Sequence, residues 1–375
     1  MKLLGAPLAA LAALATLAPC ALAQETPEPT PAERPAIDVA FVLDTTGSMG
    51  GLIDGAKKKI WSIVNTILSG RPLPEVRVAL VGYRDQGDDY VTKRHDFTDN
   101  IDEVFSNLSA FQAAGGGDEP EYVELALKEA IDDLAWKGDA TLKILFLVGD
   151  APPHEYEDEL DLPTLCERAV KKDIIVNTIR CGDSESTGKV WQEIARLAEG
   201  RYHSIDQTGG VVAVATPYDE EIGRMNDRLV ETRLIFGSAE YQAAAGDRLE
   251  AQKGLDADAK AGCAEWNSAN ARLDRQDLLD SCSSLGIPQA LDQVKVEDLP
   301  EDLKGKSREE QEKALAERLA ARQELQGKIA ELAKKRDEYV KAELEKQGAQ
   351  KDSFDEKVVE TLKDQAEERG LSFEK

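Results

Sequence analysis

Cysteine, histidine and aromatic residues are scarce in this sequence of 375 residues. It has 5 Cys, 3 His and 5% aromatic residues, and it contains no C-x-x-C pair. Structural zinc sites need closely spaced Cys or His ligands, so a zinc site is not expected. The sequence also lacks a Walker phosphate-binding loop and the G-x-S-x-G turn that exposes a nucleophilic serine. Because no catalytic nucleophile is indicated, we predict that the chain is not an enzyme.

Basic residues are few relative to acidic ones. The 46 Lys and Arg residues are outnumbered by 72 Asp and Glu residues, which gives a formal net charge of −26. Such a surface repels the phosphates of DNA and RNA, so no nucleic-acid partner is expected. Residues 301–375 contribute only −3 of this charge, and −23 belongs to residues 1–300. A hard cation or a basic partner is therefore favoured for the first part of the chain.

Long apolar runs are absent beyond the N-terminus. Residues 1–23 combine Lys2, a Leu- and Ala-rich stretch and a final A-L-A sequence, which is the pattern of a cleaved signal peptide. We therefore predict an exported chain, periplasmic or secreted, with no transmembrane span after the signal is removed. Cys20 raises the alternative of a lipoprotein anchor, but Pro19 stands where that signal requires a small residue. Residues 24–35 then form a Pro-rich linker.

Four cysteines remain after the signal peptide. An even number in an exported chain is typical of disulfides, although four cysteines permit three pairings. Because neighbours in sequence are the favoured partners, we predict the bonds Cys166–Cys181 and Cys263–Cys282.

Short apolar strands alternate with amphipathic helices over residues 36–206. Runs such as 37–43 (IDVAFVL) and 142–148 (LKILFLV) are almost entirely apolar, which is typical of parallel strands covered on both faces. The segment 48–68 between strands places Leu and Ile at helical spacing. We predict an α/β fold with a doubly wound, mostly parallel, Rossmann-like sheet and helices on both faces.

Oxygen-bearing side chains follow the apolar strands. The loops over residues 44–48 (DTTGS), 115–121 (GGGDEPE) and 149–154 (GDAPPH) carry carboxylates and hydroxyls. Ligands of such sheets bind at the carboxyl ends of the strands, so we expect these loops to converge on one edge. Oxygen ligands without soft donors suit a hard divalent cation, Mg²⁺ above all, with Mn²⁺ or Ca²⁺ as alternatives.

The sequence at residues 44–48 resembles the D-x-[ST]-G-S signature of von Willebrand factor A (VWA) domains. The resemblance covers residues 36–210 and includes a later aspartate at a strand end. It implies a metal-ion-dependent adhesion site in which two hydroxyls are direct ligands and two carboxylates hold the waters of the ion. In this family an acidic side chain of the bound partner fills the open position of the ion. The residues implied are Thr46 and Ser48 for the hydroxyls, and Asp44 and Asp150 for the carboxylates.

The middle loop departs from the family, because many members have a threonine there. Asp118 is our candidate for the missing ligand, with Glu121 as runner-up. A further carboxylate would strengthen cation binding but weaken the attraction of an acidic partner. His154 is a candidate at the rim of the site, and residues 155–161 form an acidic patch beside it. The alternative is that the Ser and Thr residues merely cap the following helix.

The remaining residues are predicted to be helical. We expect a helical extension over 211–285, a connector over 286–306, and a long-helix or coiled-coil region over 307–375. The last region carries a partly heptad-like apolar stripe that includes Leu315 and Leu325. Packing within the chain, self-association through a coiled coil, or docking of another protein could bury this stripe.

Together these patterns predict an exported, metal-dependent adhesion module that binds an unidentified protein or a component of the cell envelope. Two alternatives from other classes stay open. One is a hydrolase that uses the bound ion to activate water. The other is a structural envelope protein with a vestigial metal site.

Overall fold

The structure is a computed structural model of the chain. It describes residues 34–117, 120–154, 156, 161–210, 214–255, 257–269, 273–274, 276–347 and 353–373.

A six-stranded sheet forms the centre of the N-terminal region, in the order β3-β2-β1-β4-β5-β6. All neighbouring strands are parallel except β2 and β3, which are antiparallel. The mostly parallel sheet predicted from the apolar runs is therefore confirmed. The strands are β1 (Ala36–Asp44), β2 (Glu75–Tyr83), β3 (Thr92–Thr98), β4 (Thr141–Gly149), β5 (Ile174–Cys181) and β6 (Tyr202–Ile205).

Helices cover both faces of this sheet, as predicted. Val39 and Phe41 of β1 point into one apolar core, while Ala40 and Val42 point into the other. Both faces of β1 are buried, which explains why its sequence is an almost unbroken apolar run. The first core also contains α1 (Gly50–Leu68) and α2 (Ile101–Ser109), and the second contains α3 (Val123–Asp132), α4 (Leu162–Lys171) and α5 (Glu185–Leu197).

A helical region follows the sheet and packs on itself. Its longest described helix has 40 residues and lies against four other helices of the same region. Burial within the chain therefore accounts for part of the apolar stripe, including Leu315 at 0% and Leu325 at 7% exposure. None of the described helices is both long and apolar enough to cross a lipid bilayer. The helices are α6 (Asp219–Val230), α7 (Ala239–Lys253), α8 (Ala257–Ala269), α9 (Leu278–Leu285), α10 (Ile287–Asp292) and α11 (Arg308–Gln347).

The last helix, α12 (Phe354–Glu367), returns to the sheet. Phe354, Val358 and Leu362 are buried in the first core, and the Phe354 ring lies 6.3 Å from that of Phe41. The Phe354 N–H donates to the Gly209 carbonyl (2.8 Å), just beyond β6. Its place in the sequence predicted a common region with the long helix, but in space it completes the sheet domain. The helical region is thus an insertion between the last strand and the last helix of that domain.

The predicted disulfides are wrong, because all four described cysteines are free and buried. Cys166 belongs to the second core and Cys181 to the first, so the sheet separates them. Cys263 lies in the first core, whereas Cys282 lies in an apolar cluster of the helical region. Proximity in sequence is a poor guide here, since alternate residues of a strand point to opposite faces.

Candidate metal centre at the carboxyl edge of the sheet

The three loops singled out in the sequence meet in one pocket of about 640 Å³. β1 and β4 are parallel neighbours, and Leu43 pairs with Val148 one residue before each strand ends. The two loops that follow these strands therefore leave the same edge of the sheet side by side. Residues from all three loops line the pocket, namely Thr46, Ser48, Gly116, Glu121 and Asp150.

Asp44 anchors the first loop. It is fully buried, and its Oδ1 accepts hydrogen bonds from the Thr46 backbone N–H (2.9 Å) and from Thr46 Oγ1 (2.6 Å). Thr46 Oγ1 lies 3.3 Å from Ser48 Oγ. The second carboxylate oxygen of Asp44, Oδ2, is buried without a hydrogen-bond partner. A buried carboxylate oxygen without a donor is costly, and such an atom marks a place where a cation or a water is needed.

Glu121 supplies a second buried carboxylate from the middle loop. It is 2% exposed, and its Oε2 also has no hydrogen-bond partner. Its backbone is fixed by the bond from the Glu121 N–H to the Pro152 carbonyl (3.0 Å). Asp118, the other candidate in this loop, lies outside the described residues. Glu121, the runner-up, is thus the described carboxylate of the GGGDEPE loop at this pocket.

The buried carboxylates repel one another. Burial raises the pKa of Asp44 to about 7, and the charge of Asp150 adds to this rise. Burial also raises the pKa of Glu121 to about 9, with a further contribution from Asp44. Buried carboxylates that lie close together are stabilised when one of them is protonated or when a cation binds between them.

Two residues at the site were missed in the sequence. Gln207 Nε2 donates to Asp150 Oδ2 (2.5 Å) and to the Ser48 carbonyl (3.5 Å). Thr187 Oγ1 donates to the Asp150 carbonyl (2.9 Å). Gln207 follows the last strand, so the rule that ligands bind after strand ends would have found it. The position of Thr187, inside α5, has no comparable signal in the sequence.

The predicted rim residue lies in a different pocket. His154 is not among the residues that line the metal-site pocket, and its ring stacks on that of Tyr156 at 4.4 Å. Most of the acidic patch, residue 155 and residues 157–159, lies outside the described residues. Asp161 is described, and it caps α4 by accepting from the Thr164 N–H (3.0 Å).

The donor atoms of the site are all oxygens. In the described part of the chain, no group of three or more His, Cys, Asp or Glu side chains is arranged to hold a metal ion. Asp44, Glu121 and Asp150 therefore do not form such a group on their own, and a cation in this pocket would also need the hydroxyl oxygens of Thr46 and Ser48. Hydroxyl, carboxylate and water oxygens are the ligands that Mg²⁺ and Ca²⁺ take, so the residues present fit a hard cation.

The comparisons with known proteins concern the sheet domain. Residues 38–217 match the family model described as von Willebrand factor A domain. These residues form a VWA domain. The predicted resemblance to VWA domains is thereby confirmed for the domain.

Curated relatives match about a third of the chain. The von Willebrand factor A domain-containing protein 7 of rat is 37% identical over 121 residues, or 32% of this chain and 12% of that protein. The human protein of the same name is 36% identical over the same length. A putative ariadne-like RING finger protein, R811 of Acanthamoeba polyphaga mimivirus, is 29% identical over 125 residues. The chain spans 12% of the length of each of these relatives.

One solved structure with a similar fold is that of the conserved hypothetical protein BatB from Bacteroides thetaiotaomicron. The two chains are 16% identical and superpose with a TM-score of 0.36. The match covers 45% of this chain and 90% of the BatB chain.

Proposed function

We propose that the VWA domain binds a protein partner through a divalent cation held at the carboxyl edge of its sheet. Mg²⁺ is the favoured ion, with Mn²⁺ or Ca²⁺ as alternatives. The observation that carries the proposal is the pair of buried carboxylate oxygens, Asp44 Oδ2 and Glu121 Oε2, without hydrogen-bond partners. A cation bound in this pocket would offset the negative charge of both carboxylates. The residues that would hold it are Asp44, Thr46, Ser48, Glu121 and Asp150.

The residues of the site have different roles. Asp44 Oδ1 orients the Thr46 hydroxyl through the 2.6 Å hydrogen bond. Asp44 Oδ2, which has no hydrogen-bond partner, is left to face the ion or one of its waters. Gln207 holds Asp150 Oδ2 from outside the set. When bound, the ion supplies a positive charge that attracts an acidic side chain of the partner. Glu121 reduces that charge, so binding is expected to depend on further contacts beside the ion.

The site suits binding better than catalysis. Cys181 is the described thiol that lines the pocket, and it is 1% exposed. Burial raises its pKa well above the usual value for a thiol, and the charge of Asp150 adds to this. A protonated thiol is a poor nucleophile. The His154 ring lies in the neighbouring pocket, on Tyr156.

We also propose that the protein acts outside the cytoplasm, in the periplasm or secreted, on a protein or another component of the cell envelope. The support is the signal-peptide pattern of residues 1–23, which lie outside the described residues.

Calorimetric titration of the purified chain with Mg²⁺ and with Mn²⁺ tests the metal site. We expect saturable binding and a higher melting temperature for the wild type, and neither effect for the double variant Asp44→Ala, Ser48→Ala. The control is Asp54→Ala, which removes an exposed carboxylate from α1 and should bind the ion as the wild type does. Equal binding by the wild type and the double variant would refute the site.

The partner is tested separately, by comparing the envelope proteins retained on the immobilised chain with and without a chelator. The proposal predicts a specific protein that is released by the chelator and is not retained by the double variant. Retention that is indifferent to both would show that the partner does not use this site.

A further inference from the structure

A second pocket, called here the aromatic pocket, lies beside the candidate metal centre. Its volume is about 470 Å³, and the proposed metal site does not use it. Rings and carboxylates line it together with three prolines. The rings are those of Tyr122, His154 and Tyr156, and the carboxylates are those of Glu124 and Asp161.

The aromatic pocket and the metal centre share a wall. In the middle loop Glu121 lines the metal site and the next residue, Tyr122, lines the aromatic pocket. After β4, Ala151 lines the metal site and Pro152 the aromatic pocket. The His154 N–H donates to the Glu121 carbonyl (2.9 Å), which ties the two walls together. The two sites therefore adjoin each other across neighbouring residues of two loops.

Three rings are in contact inside the aromatic pocket. The Tyr156 centroid lies 4.4 Å from those of Tyr122 and His154, and its ring is stacked on His154 (13°) but tilted to Tyr122 (48°). The Tyr156 hydroxyl donates to the carboxylate of Asp85, which is 5% exposed. A hydroxyl that donates to a carboxylate makes its ring richer in electrons. Because His154 covers one face of Tyr156, a cation would approach the cluster at its uncovered ring faces, which attract positive charge.

The described charged residues that line the pocket are acidic. Glu124 and Asp161 line the pocket, and no Lys or Arg is among its described lining residues. The first 300 residues of the chain carry −23 in total, so the wider surroundings are also acidic. Rings and carboxylates without a basic side chain are complementary to a cationic group.

We propose that the aromatic pocket binds the side chain of an arginine or lysine of the protein partner, next to the acidic side chain bound at the metal centre. This inference rests on the proposed function and gives the partner a chemical description. Arginine is favoured over lysine, because a planar guanidinium stacks on an aromatic face. Because neighbouring residues line the two sites, we expect the acidic and basic residues of the partner to lie only a few positions apart.

Short acetylated and amidated peptides with one aspartate and one arginine, two to four positions apart and otherwise glycine, test the proposal. Each is compared with the same peptide carrying citrulline, which has the shape of arginine without its charge. Surface plasmon resonance with saturating Mg²⁺ measures both affinities. We expect the arginine peptide of the best spacing to bind roughly five- to thirtyfold more tightly than its citrulline counterpart.

Variants locate the preference within the protein. Glu124→Gln and Tyr156→Leu are each expected to lower the ratio of arginine to citrulline affinity. Glu185→Gln removes the same charge from an exposed residue outside the pocket lining and should keep the ratio. Melting temperatures and circular dichroism identify any variant that fails to fold. A ratio unchanged in both pocket variants would place the basic group elsewhere and overturn the proposal.

The two proposals fail in different ways. Binding that requires Mg²⁺ but shows no preference for arginine overturns the basic subsite and leaves the metal centre standing. A preference that survives a chelator and the Asp44→Ala, Ser48→Ala variant overturns the metal centre and leaves the subsite. If no peptide binds, millimolar Nα-acetylarginine amide is titrated against the isotope-labelled protein in NMR. Unchanged Tyr122 and Tyr156 signals would then overturn the subsite, whereas shifts that the citrulline analogue does not cause would support it.

Discussion

Gly116 lies against the hydroxyl ligands of the proposed metal site in a backbone conformation that favours glycine. Its φ is +82°, and a Cβ atom added there would lie 3.3 Å from the Thr46 Cβ. We predict that Gly116→Ala destabilises the chain by about 1–2 kcal/mol and weakens Mg²⁺ binding, because the left-handed conformation is strained and Thr46 must move. Gly117→Ala is the matched control, since its added Cβ meets nothing within 4 Å. Chemical denaturation and calorimetric titration measure the two effects, and equal behaviour of the two variants would contradict the prediction.

Glu121 should make the metal-free protein less stable as the pH rises. Its pKa is raised from 4.5 to about 9, so over this window the folded state retains a proton that the unfolded state has lost. The stability associated with this proton is complete below pH 4.5 and is lost as the pH rises towards 9, by at most about 1.4 kcal/mol for each pH unit. Asp44, whose pKa is raised from 3.8 to about 7, adds to the loss below pH 7.

Melting temperatures of the chelated protein between pH 5 and pH 9 check this sign. We expect Glu121→Gln to remove the decline above pH 7 and to retain the part below pH 7 that belongs to Asp44. Mg²⁺ should raise the wild-type melting temperature more at pH 8 than at pH 5, because a cation competes with the proton. A flat or rising wild-type profile in chelator would refute this account of Glu121.

Among the elements, α12 is remote in sequence from the sheet that it covers. The Phe354 side chain is 2% exposed and lies between the sheet and α1, in the core that contains Phe41. We predict that Phe354→Ala lowers the free energy of unfolding by about 3–5 kcal/mol, since it leaves a cavity in a packed core. Glu356→Ala changes an exposed position of the same helix and should cost less than about 0.5 kcal/mol. Similar midpoints of urea unfolding for the two variants would show that α12 is not part of the core.

Elements defined by local sequence patterns were predicted, whereas contacts between distant parts of the chain were not. The strand over 37–43 and the oxygen-rich loop at 44–48 are local patterns, so β1 and its end were predicted within a residue or two. The partner of α12 is set by contacts between residues far apart in the chain, such as Phe354 with Gly209, and no local period encodes them. The same holds for the cysteines, whose burial in separate cores depends on which face each residue meets. Glu121 was the second choice in its loop because a single sequence does not show which carboxylate turns inwards.

On the scale of the whole molecule, the inserted helical region is joined to the VWA domain by buried charges. Arg233 follows α6, and its Nη1 lies 2.5 Å from Oδ2 of Asp102 in α2. Arg233 is 8% exposed and Asp102 is 3% exposed. Arg233 Nη2 also donates to Asn267 Oδ1 in α8 (2.7 Å). One arginine therefore connects the sheet domain with two helices of the insertion, which predicts that the two regions unfold together.

A double-mutant cycle on this pair tests the connection. Arg233→Met leaves the Asp102 carboxylate buried without its cation, which should cost about 3–5 kcal/mol. The double variant Asp102→Leu, Arg233→Met removes both charges and should recover most of this loss, because a well-packed apolar pair can replace a buried ion pair. Urea unfolding is followed by far-ultraviolet circular dichroism for the helices and by Mg²⁺-dependent protection from proteolysis for the VWA domain. We expect coincident transitions in the wild type and separate ones in Arg233→Met, with the helical signal lost first. Additive effects of the two substitutions, or separate transitions already in the wild type, would mean that the insertion folds independently of the VWA domain.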